Sequence, residues 1–266
     1  MSIEIKTATT EPLRTTFDHL RDRLGEGKVP TRYQEAVFDL QTTLNFHYRP
    51  TWDPASKLYD PDLTAIALED WDQLLDPRQY YYATYVMARG RQQDSQDKNF
   101  SMVEKKNLLS ALAPASRERL RSLAVPLRHA EWGANQLNAY IAGYGSGAAM
   151  TSAATYQMFD RLGNAQYLSR LGLLLGNGDP AGLDVAKSDW LEADLWQPLR
   201  RLVEDLLVER DWFEIHLVQN FLLDGMLQPL IFEFFSDVLA AEGGAAFAML
   251  TEFTVEWFGE AKRWTD

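Results

Sequence analysis

The charge and composition of this chain exclude several classes of function. Its 266 residues include 38 acidic and 26 basic side chains, a formal net charge of −12, so we expect it to bind neither nucleic acid nor anionic membranes. It has no cysteine, which excludes disulfides, thiolate metal sites and a cysteine nucleophile, and which fits a reducing cytoplasm. The sequence shows no signal-peptide pattern and no apolar run of about 18 residues, so we expect a cytoplasmic protein without a membrane span.

The N-terminal part is predicted to be an arm followed by a helix. Residues 1–30 are polar, rich in threonine and without a clear period, which is typical of an extended segment that is ordered only when something holds it. A helical pattern follows over 31–46. We therefore predict an extended N-terminal arm over 1–30 and a single helical-bundle domain over 31–266.

The segment 47–63 interrupts the helical pattern with the sequence HYRPTWDPASKLYDPDL. Its prolines lack an amide donor and disfavour helix before them, so the segment is predicted to be a long loop. Loops of this length are uncommon within a compact domain and often serve interactions. Because Tyr48, Trp52 and Tyr59 are large for a solvated loop, they are our candidates for contacts with another chain.

Long helices are predicted for the middle of the chain. Asp76 and Pro77 are a typical N-cap and first helical residue, and the helix that they start is expected to run well past average length. Residues 148–175 are predicted to form two shorter helices that separate at Gly163. Before them lies a helical pattern in which Pro126 predicts a kink. Its apolar seam comprises Leu127, Ala130, Ala134, Leu137 and Ile141.

The stretch 202–235 is very apolar and is expected to be helical. An apolar ridge recurs at steps of four residues and comprises Val218, Leu222, Met226 and Leu230. A polar line at the same spacing comprises His216, Asn220, Asp224 and Gln228. A helix that is apolar on most sides belongs inside a bundle, and its polar line is then either its one solvated face or a buried network. With no alternating strand pattern in the sequence, the predicted fold class is all-α with long bundle helices.

Large helical bundles with inward-facing acids and histidines often hold a di-iron centre. Such sites take a Glu from each of two helices and a Glu-x-x-His pair from each of two others, because residues three apart project toward the same metal. The histidines of this chain are His19, His47, His129 and His216. The residues three positions before them are not acidic: Thr16, Leu44, Pro126 and Phe213. The chain therefore lacks any Glu-x-x-His pair, which argues against a di-iron site of this type.

An ordered series of segments carries a family resemblance: MSIEIKT, NFHYRPTWDP, DWDQLLDPRQYYYATYVMARGR, VPLRHAEWGANQ, RLGNAQYLSRLGLLL, RDWFE and LTEF. This series resembles the β subunit of the hydroxylase component of bacterial multicomponent monooxygenases. Phenol hydroxylase is the most similar branch, and the toluene, alkene and methane monooxygenases are more distant. The resemblance covers nearly the whole chain, and an ordered series is more specific than one short motif.

The resemblance implies a ferritin-like bundle, related to that of ribonucleotide reductase, without a di-iron site. It implies that the metal belongs to a catalytic α subunit and that this β chain binds no cofactor. The complex would be a dimer of αβγ trimers, served by a regulatory protein and by an NADH-dependent reductase with FAD and a 2Fe–2S cluster. The assembly would insert one oxygen atom into phenol or a related arene. Family members are also expected to continue with further helices beyond the position of Asp266.

Two positions look like metal ligands that have lost their histidine. Glu131 is followed three residues later by Ala134, and Glu260 by Arg263. Ala134 cannot coordinate a metal, and the Arg263 guanidinium would repel one. We expect both acids to be solvated helix residues, with the alternative that Arg263 pairs with a buried acid and replaces the metal as its counter-charge.

Two other functions stay open from the residues alone. The first is a stand-alone enzyme with an all-carboxylate site for Mn or Mg, built from Glu131, Glu209, Glu214 and Glu260. The second is a helical scaffold without an enzyme partner, since a fold does not define a function. Metal content distinguishes the first from a monooxygenase subunit, and partner co-purification distinguishes the second.

Overall fold

The computed structural model describes residues 16–40 and 51–266, which form helices, turns and no strand, as the all-α prediction requires. The first helices along the chain are α1 (Arg21–Leu24), α2 (Arg32–Val37) and α3 (Tyr82–Lys105). The following helices are α4 (Pro114–Ala124), α5 (Leu127–Tyr144), α6 (Ala148–Leu175), α7 (Ala181–Glu192) and α8 (Gln197–Val208). The last are α9 (Trp212–Ile215), α10 (Asp224–Gln228), α11 (Ser236–Ala241) and α12 (Ala246–Thr265). No helix in these two ranges combines the length and apolar character needed to cross a membrane.

Helices α9, α10 and α11 are parts of one continuous helix, which we call helix 212–241. They are joined by π-helical stretches at His216–Leu223 and Pro229–Phe235. The carboxylate of Asp211 caps its start by accepting hydrogen bonds from the backbone amides of Phe213 and Glu214, at 2.9 and 3.1 Å. The helix continues through Pro229, which falls where the π pattern already replaces the usual i to i−4 bonds.

The centre of the bundle is the pair α5 and α6, which pack along each other. The predicted apolar seam of α5 is buried throughout. Between the two helices the chain turns at Gly147, whose φ is +84° and where a Cβ would lie 2.9 Å from the backbone oxygen of Trp71. Helix α12 packs against α6 and helix 212–241, and it buries Trp257 completely.

Two predictions for the longest helices differ from the structure. The long helix α3 begins at Tyr82 rather than at the predicted first helical residue, Pro77. The Asp76 carboxylate instead accepts hydrogen bonds from the amide and the Nε of Arg78, and Gln79 then turns the chain with φ at +53°. Helix α6 runs unbroken through Gly163, because packing on α5 outweighs the weak helix propensity of one glycine.

The predicted arm and loop lie partly outside the described residues, which exclude 1–15 and 41–50. Within 16–30 the chain makes a short helical turn and buries Leu20, so this part packs on the protein rather than extending from it. Helix α2 starts at the predicted place, capped by Thr31. It ends at Val37, earlier than predicted, because Phe38 is extended with ψ at 135° and Asp39 then adopts φ of +51°.

Candidate functional site

A buried charge cluster lies at the centre of the bundle. The guanidinium of Arg161 is 1% exposed. Its Nη1 donates to both carboxylate oxygens of Glu131 at 3.1 Å, and its Nη2 donates to Asp224. The cluster therefore joins α5, α6 and helix 212–241 through one cation and two carboxylates.

These charges meet because Glu131, Arg161 and Asp224 each lie on the side of their helix that faces the centre of the bundle. Helix α12 closes the cluster with Trp257, whose ring centroid lies 4.5 Å from the Arg161 guanidinium carbon. A guanidinium over an indole face is a favourable cation–π geometry, worth more when it is removed from water. The charge is thus held by two carboxylates at one edge and by an aromatic face.

Amides complete the cluster. Gln228 donates to Glu131 at 3.0 Å, and Gln219 donates to Asp224 at 3.1 Å. A second group lies toward the N-terminus of helix 212–241, where Asn220 exchanges a pair of amide hydrogen bonds with Asn138 of α5 at 3.0 and 3.1 Å. These bonds satisfy polar atoms that would otherwise be costly to bury.

The Asn220 amide also approaches the imidazole of His216. Its Nδ2 lies 3.2 Å from Nδ1 of His216. Because an amide N–H can only donate, Nδ1 acts as acceptor and the ring is neutral. Burial lowers the pKa of His216 to about 4, which agrees with the neutral ring.

The electrostatics of the cluster follow from its charge count. Burial raises the pKa of Asp224 to about 7, against the lowering effect of Arg161. Burial lowers the pKa of Arg161, but Asp224 and Glu131 more than offset this, so that the net shift is upward and the guanidinium stays charged. Two acids therefore share one fixed cation, and burial favours the protonated form of Asp224.

The residues of this buried cluster do not fit a di-iron site. The Arg161 guanidinium already binds both acids that face the axis, and a metal there would meet its positive charge. Ala134, where the ligand pattern requires histidine, is buried and has no donor atom. In the described ranges no group of three or more His, Cys, Asp or Glu side chains is placed to hold a metal.

The ligand-like positions from the sequence are placed in different environments. Glu131 is buried and paired, not solvated as expected. Arg263 is exposed, so the predicted pairing of Arg263 with a buried acid is wrong. A buried acid does have an arginine counter-charge, but Arg161 supplies it from α6. Arg161 was not among the candidates from the sequence, although it stands beside Asp160 in a helical stretch whose other residues are mostly apolar or small.

Glu260 belongs to a separate, half-buried cluster. It accepts hydrogen bonds from Arg89 at 2.9 Å and from the Tyr80 hydroxyl at 3.0 Å. Arg89 also binds both oxygens of Asp160 at 2.7 and 2.8 Å, and Tyr85 donates to Asp160 at 2.9 Å. This cluster ties α3 to α6 and α12.

Helix 212–241 faces the bundle with its polar line and not with its apolar ridge. Its polar line His216, Asn220, Asp224 and Gln228 is buried. In its apolar ridge Val218 is half-buried, whereas Leu222, Met226 and Leu230 are exposed. Of the two alternatives for the polar line, the structure therefore shows the buried network. The ridge does not lie inside the bundle.

The π stretches help to keep this polar line on one face. In an α-helix of 3.6 residues per turn, each step of four residues advances roughly 40° around the axis. The i to i+5 bonds of a π-helix widen the turn and counteract that drift. Residues four apart at 216–228 can therefore face the same neighbours over three successive steps.

The loop candidates are only partly visible. Tyr48 lies outside the described residues. Trp52 is 72% exposed and Tyr59 is half-buried. The loop beside them is tied to the bundle by a hydrogen bond of 3.2 Å from the Tyr144 hydroxyl to Asp53.

The acids of the all-carboxylate alternative are not brought together. Glu131 pairs with Arg161, and Glu260 pairs with Arg89. Glu214 is exposed, and Glu209 accepts hydrogen bonds from the amides of the two residues after it. These positions form no common site.

Comparison with known proteins places this geometry in a family. Residues 49–266 match the Methane/Phenol/Alkene Hydroxylase family. The chain is 50% identical over 266 residues to the oxygenase component DmpL of phenol 2-monooxygenase from Pseudomonas sp. (strain CF600), covering 100% of this chain and 80% of that protein. It is 40% identical, with the same coverage, to the oxygenase component MhpL of phenol 2-monooxygenase from Acinetobacter pittii (strain PHEA-2).

Solved structures show the same relationship. Xenon-pressurized phenol hydroxylase from Pseudomonas sp. OX1 matches with a TM-score of 0.89 and 46% identity, covering 98% of this chain and 80% of that one. Toluene 4-monooxygenase matches with a TM-score of 0.81 and 18% identity, covering 97% and 86%, which supports the fold alone. The ferritin-like fold and the family resemblance are thereby confirmed. The chain belongs to the methane, phenol and alkene hydroxylase family and is a hydroxylase subunit of a multicomponent monooxygenase.

Proposed function

We propose that this chain is the structural, non-catalytic β subunit of a multicomponent phenol hydroxylase. The observation that carries the proposal is the Arg161 guanidinium, which binds Glu131 and Asp224 at the centre of the bundle. It supplies as a fixed part of the chain the positive charge that a ligand-bearing bundle would take from metal. The chain would thus have the ferritin-like fold without the di-iron chemistry.

The proposed assembly has its reactive centre elsewhere. A di-iron α subunit would insert one oxygen atom into phenol or a related arene. This chain would support it within a dimer of αβγ trimers, together with a regulatory protein and an NADH-dependent reductase that carries FAD and a 2Fe–2S cluster, in the cytoplasm. The relatives named as oxygenase components of phenol 2-monooxygenase support a multicomponent assignment and phenol as substrate class.

The test is to purify the chain alone and co-expressed with the other hydroxylase subunits, and to measure mass by light scattering and metal by mass spectrometry. We expect the isolated chain to hold no stoichiometric transition metal. We expect the complex to contain the chain in a fixed ratio, with iron that follows the larger partner. Close to two metal ions per isolated chain would overturn the proposal.

The two alternatives are less well supported. The stand-alone carboxylate enzyme needs acids that converge, whereas Glu131 and Glu260 each face an arginine in separate clusters. The scaffold without an enzyme partner has no specific observation in its favour. Family membership supports an enzyme assembly instead.

A further inference from the structure

The outer face of helix 212–241 is apolar and is left exposed by the described residues. Six of its apolar side chains are between 40% and 66% exposed: Leu217, Phe221, Leu222, Met226, Leu230 and Phe234. We call this set of six the outer ridge; it includes the three exposed members of the apolar ridge but not the half-buried Val218. The inner face of the same helix carries the buried polar network, so the helix cannot turn to bury the ridge without exposing Asp224 and His216.

An apolar patch of this kind on a soluble protein marks an interaction surface. Scattered apolar residues on a surface need no explanation, but these six recur turn after turn on one continuous helix. An amphipathic helix face of this form fits a complementary helical surface, read through anchors at steps of three and four residues.

Charge selects the class of partner. The exposed acids Glu214, Glu233 and Asp237 border the ridge, and the sequence 212–241 contains no lysine or arginine. A second copy of this chain would bring acids against acids across a two-fold axis, which is unfavourable. A partner with lysine or arginine beside its apolar contacts would instead be complementary.

We propose that the outer ridge is the docking surface for another subunit of the hydroxylase, which presents an apolar helical face bordered by basic side chains. This inference rests on the proposed function, since it takes the partner from the same assembly. It adds the surface and the chemistry of the contact. Its centre would be Met226 and Leu230, and its rim would be acidic.

The absence of cysteine in the sequence makes a clean test possible. Met226→Cys and Leu230→Cys place a single thiol on the ridge, and Ser95→Cys places a matched thiol on the exposed face of α3. We expect a maleimide to label all three in the isolated chain. In the co-expressed complex we expect labelling of the two ridge thiols to slow by on the order of tenfold or more, because reaction then requires opening of the contact, while Ser95→Cys stays reactive.

Charge variants test the chemistry of the partner. Met226→Asp is expected to weaken assembly by on the order of tenfold to a hundredfold, as for a central interface residue, with unchanged thermal stability of the isolated chain. The combined change of Glu214, Glu233 and Asp237 to lysine is expected to slow association and to reverse its salt dependence, so that added salt then speeds association.

The outcomes separate this inference from the proposed function. If the chain assembles but both ridge thiols stay reactive, the docking surface is wrong and the subunit role stands. If the ridge thiols are protected in the isolated chain, or if it dimerises through them, the ridge is covered by this chain and the inference is overturned. A chain that joins no hydroxylase complex contradicts the proposed function and this inference together.

Discussion

Arg161 and Trp257 are in cation–π contact at the centre of the bundle, with the guanidinium carbon 4.5 Å from the indole ring centroid. Both side chains are almost fully buried. A cation in this position must be compensated, and Glu131 and Asp224 supply that compensation from two other helices. One guanidinium thereby joins four helical segments.

Replacement of Arg161 by methionine should destabilise the protein severely. It leaves the carboxylates of Glu131 and Asp224 buried without a cation, which typically costs about 3–5 kcal/mol. Urea unfolding monitored by circular dichroism measures the change in free energy of unfolding. The matched control is the triple variant R161M/E131Q/D224N, which is neutral and should recover most of the loss. A triple variant no more stable than R161M would show that shape rather than charge sets the cost.

The stability of the chain should depend on His216 in mild acid. Burial lowers the folded-state pKa of His216 to about 4 from its ordinary 6.5. Between these values only the unfolded chain binds the proton, so this contribution is complete above pH 6.5 and is lost as the pH falls toward 4. The loss amounts to about 3 kcal/mol from the pKa difference.

Comparison with His216→Gln isolates that contribution from other groups. Asp224 works in the opposite sense, because its raised pKa gives stability that is present below its ordinary 3.8 and is lost as the pH rises through about 7. We expect the stability difference between wild type and His216→Gln to change by a few kcal/mol from pH 7 to pH 4, on the scale of about 1.4 kcal/mol per pKa unit. The exposed His19→Gln is the control. Parallel pH profiles for all three proteins would contradict the neutral buried ring.

Replacement of Gly133 by alanine should destabilise the contact between α5 and α8. A Cβ at this position would lie 2.4 Å from Cγ1 of Val203, so either the Val203 side chain or the two helices must shift. Overpacking of this kind costs about 1–3 kcal/mol. The double variant G133A/V203A removes the clashing methyl, and a double-mutant cycle in urea should give a favourable coupling between the two changes. Simple additivity would mean that the helices do not approach as closely as described.

Arginine at position 89 should not be replaceable by lysine. Arg89 binds both oxygens of Asp160 and a third oxygen from Glu260, which a single ammonium cannot reproduce. We expect Arg89→Lys to lower the melting temperature, with a loss of about 1–3 kcal/mol for charged hydrogen bonds. The exposed Arg91→Lys, two residues along the same helix, should change stability by less than about 0.5 kcal/mol. Equal effects of the two changes would remove this cluster as a stabilising element.

The sequence was sufficient for whatever depends on local period and composition. The steps of three and four residues in α5 predicted its buried seam correctly, because one side of a helix repeats at that spacing whatever lies against it. The absence of a Glu-x-x-His pair could likewise be read from the sequence, since the two ligands of such a pair stand only three positions apart in the chain. The charge of helix 212–241, with acids and no basic residue, is likewise a property of the sequence alone.

Only the tertiary structure decided which face of helix 212–241 points inward. Its apolar and polar lines share one spacing, so periodicity alone leaves the choice open. Arg161 settles it, because a buried guanidinium needs carboxylates and thereby draws Asp224 toward the axis while Met226 and Leu230 face outward. The tertiary structure also shows that the buried acids pair with Arg161 and not with the predicted Arg263. Pairings between residues far apart in the chain follow from how helices pack, and no local pattern encodes them.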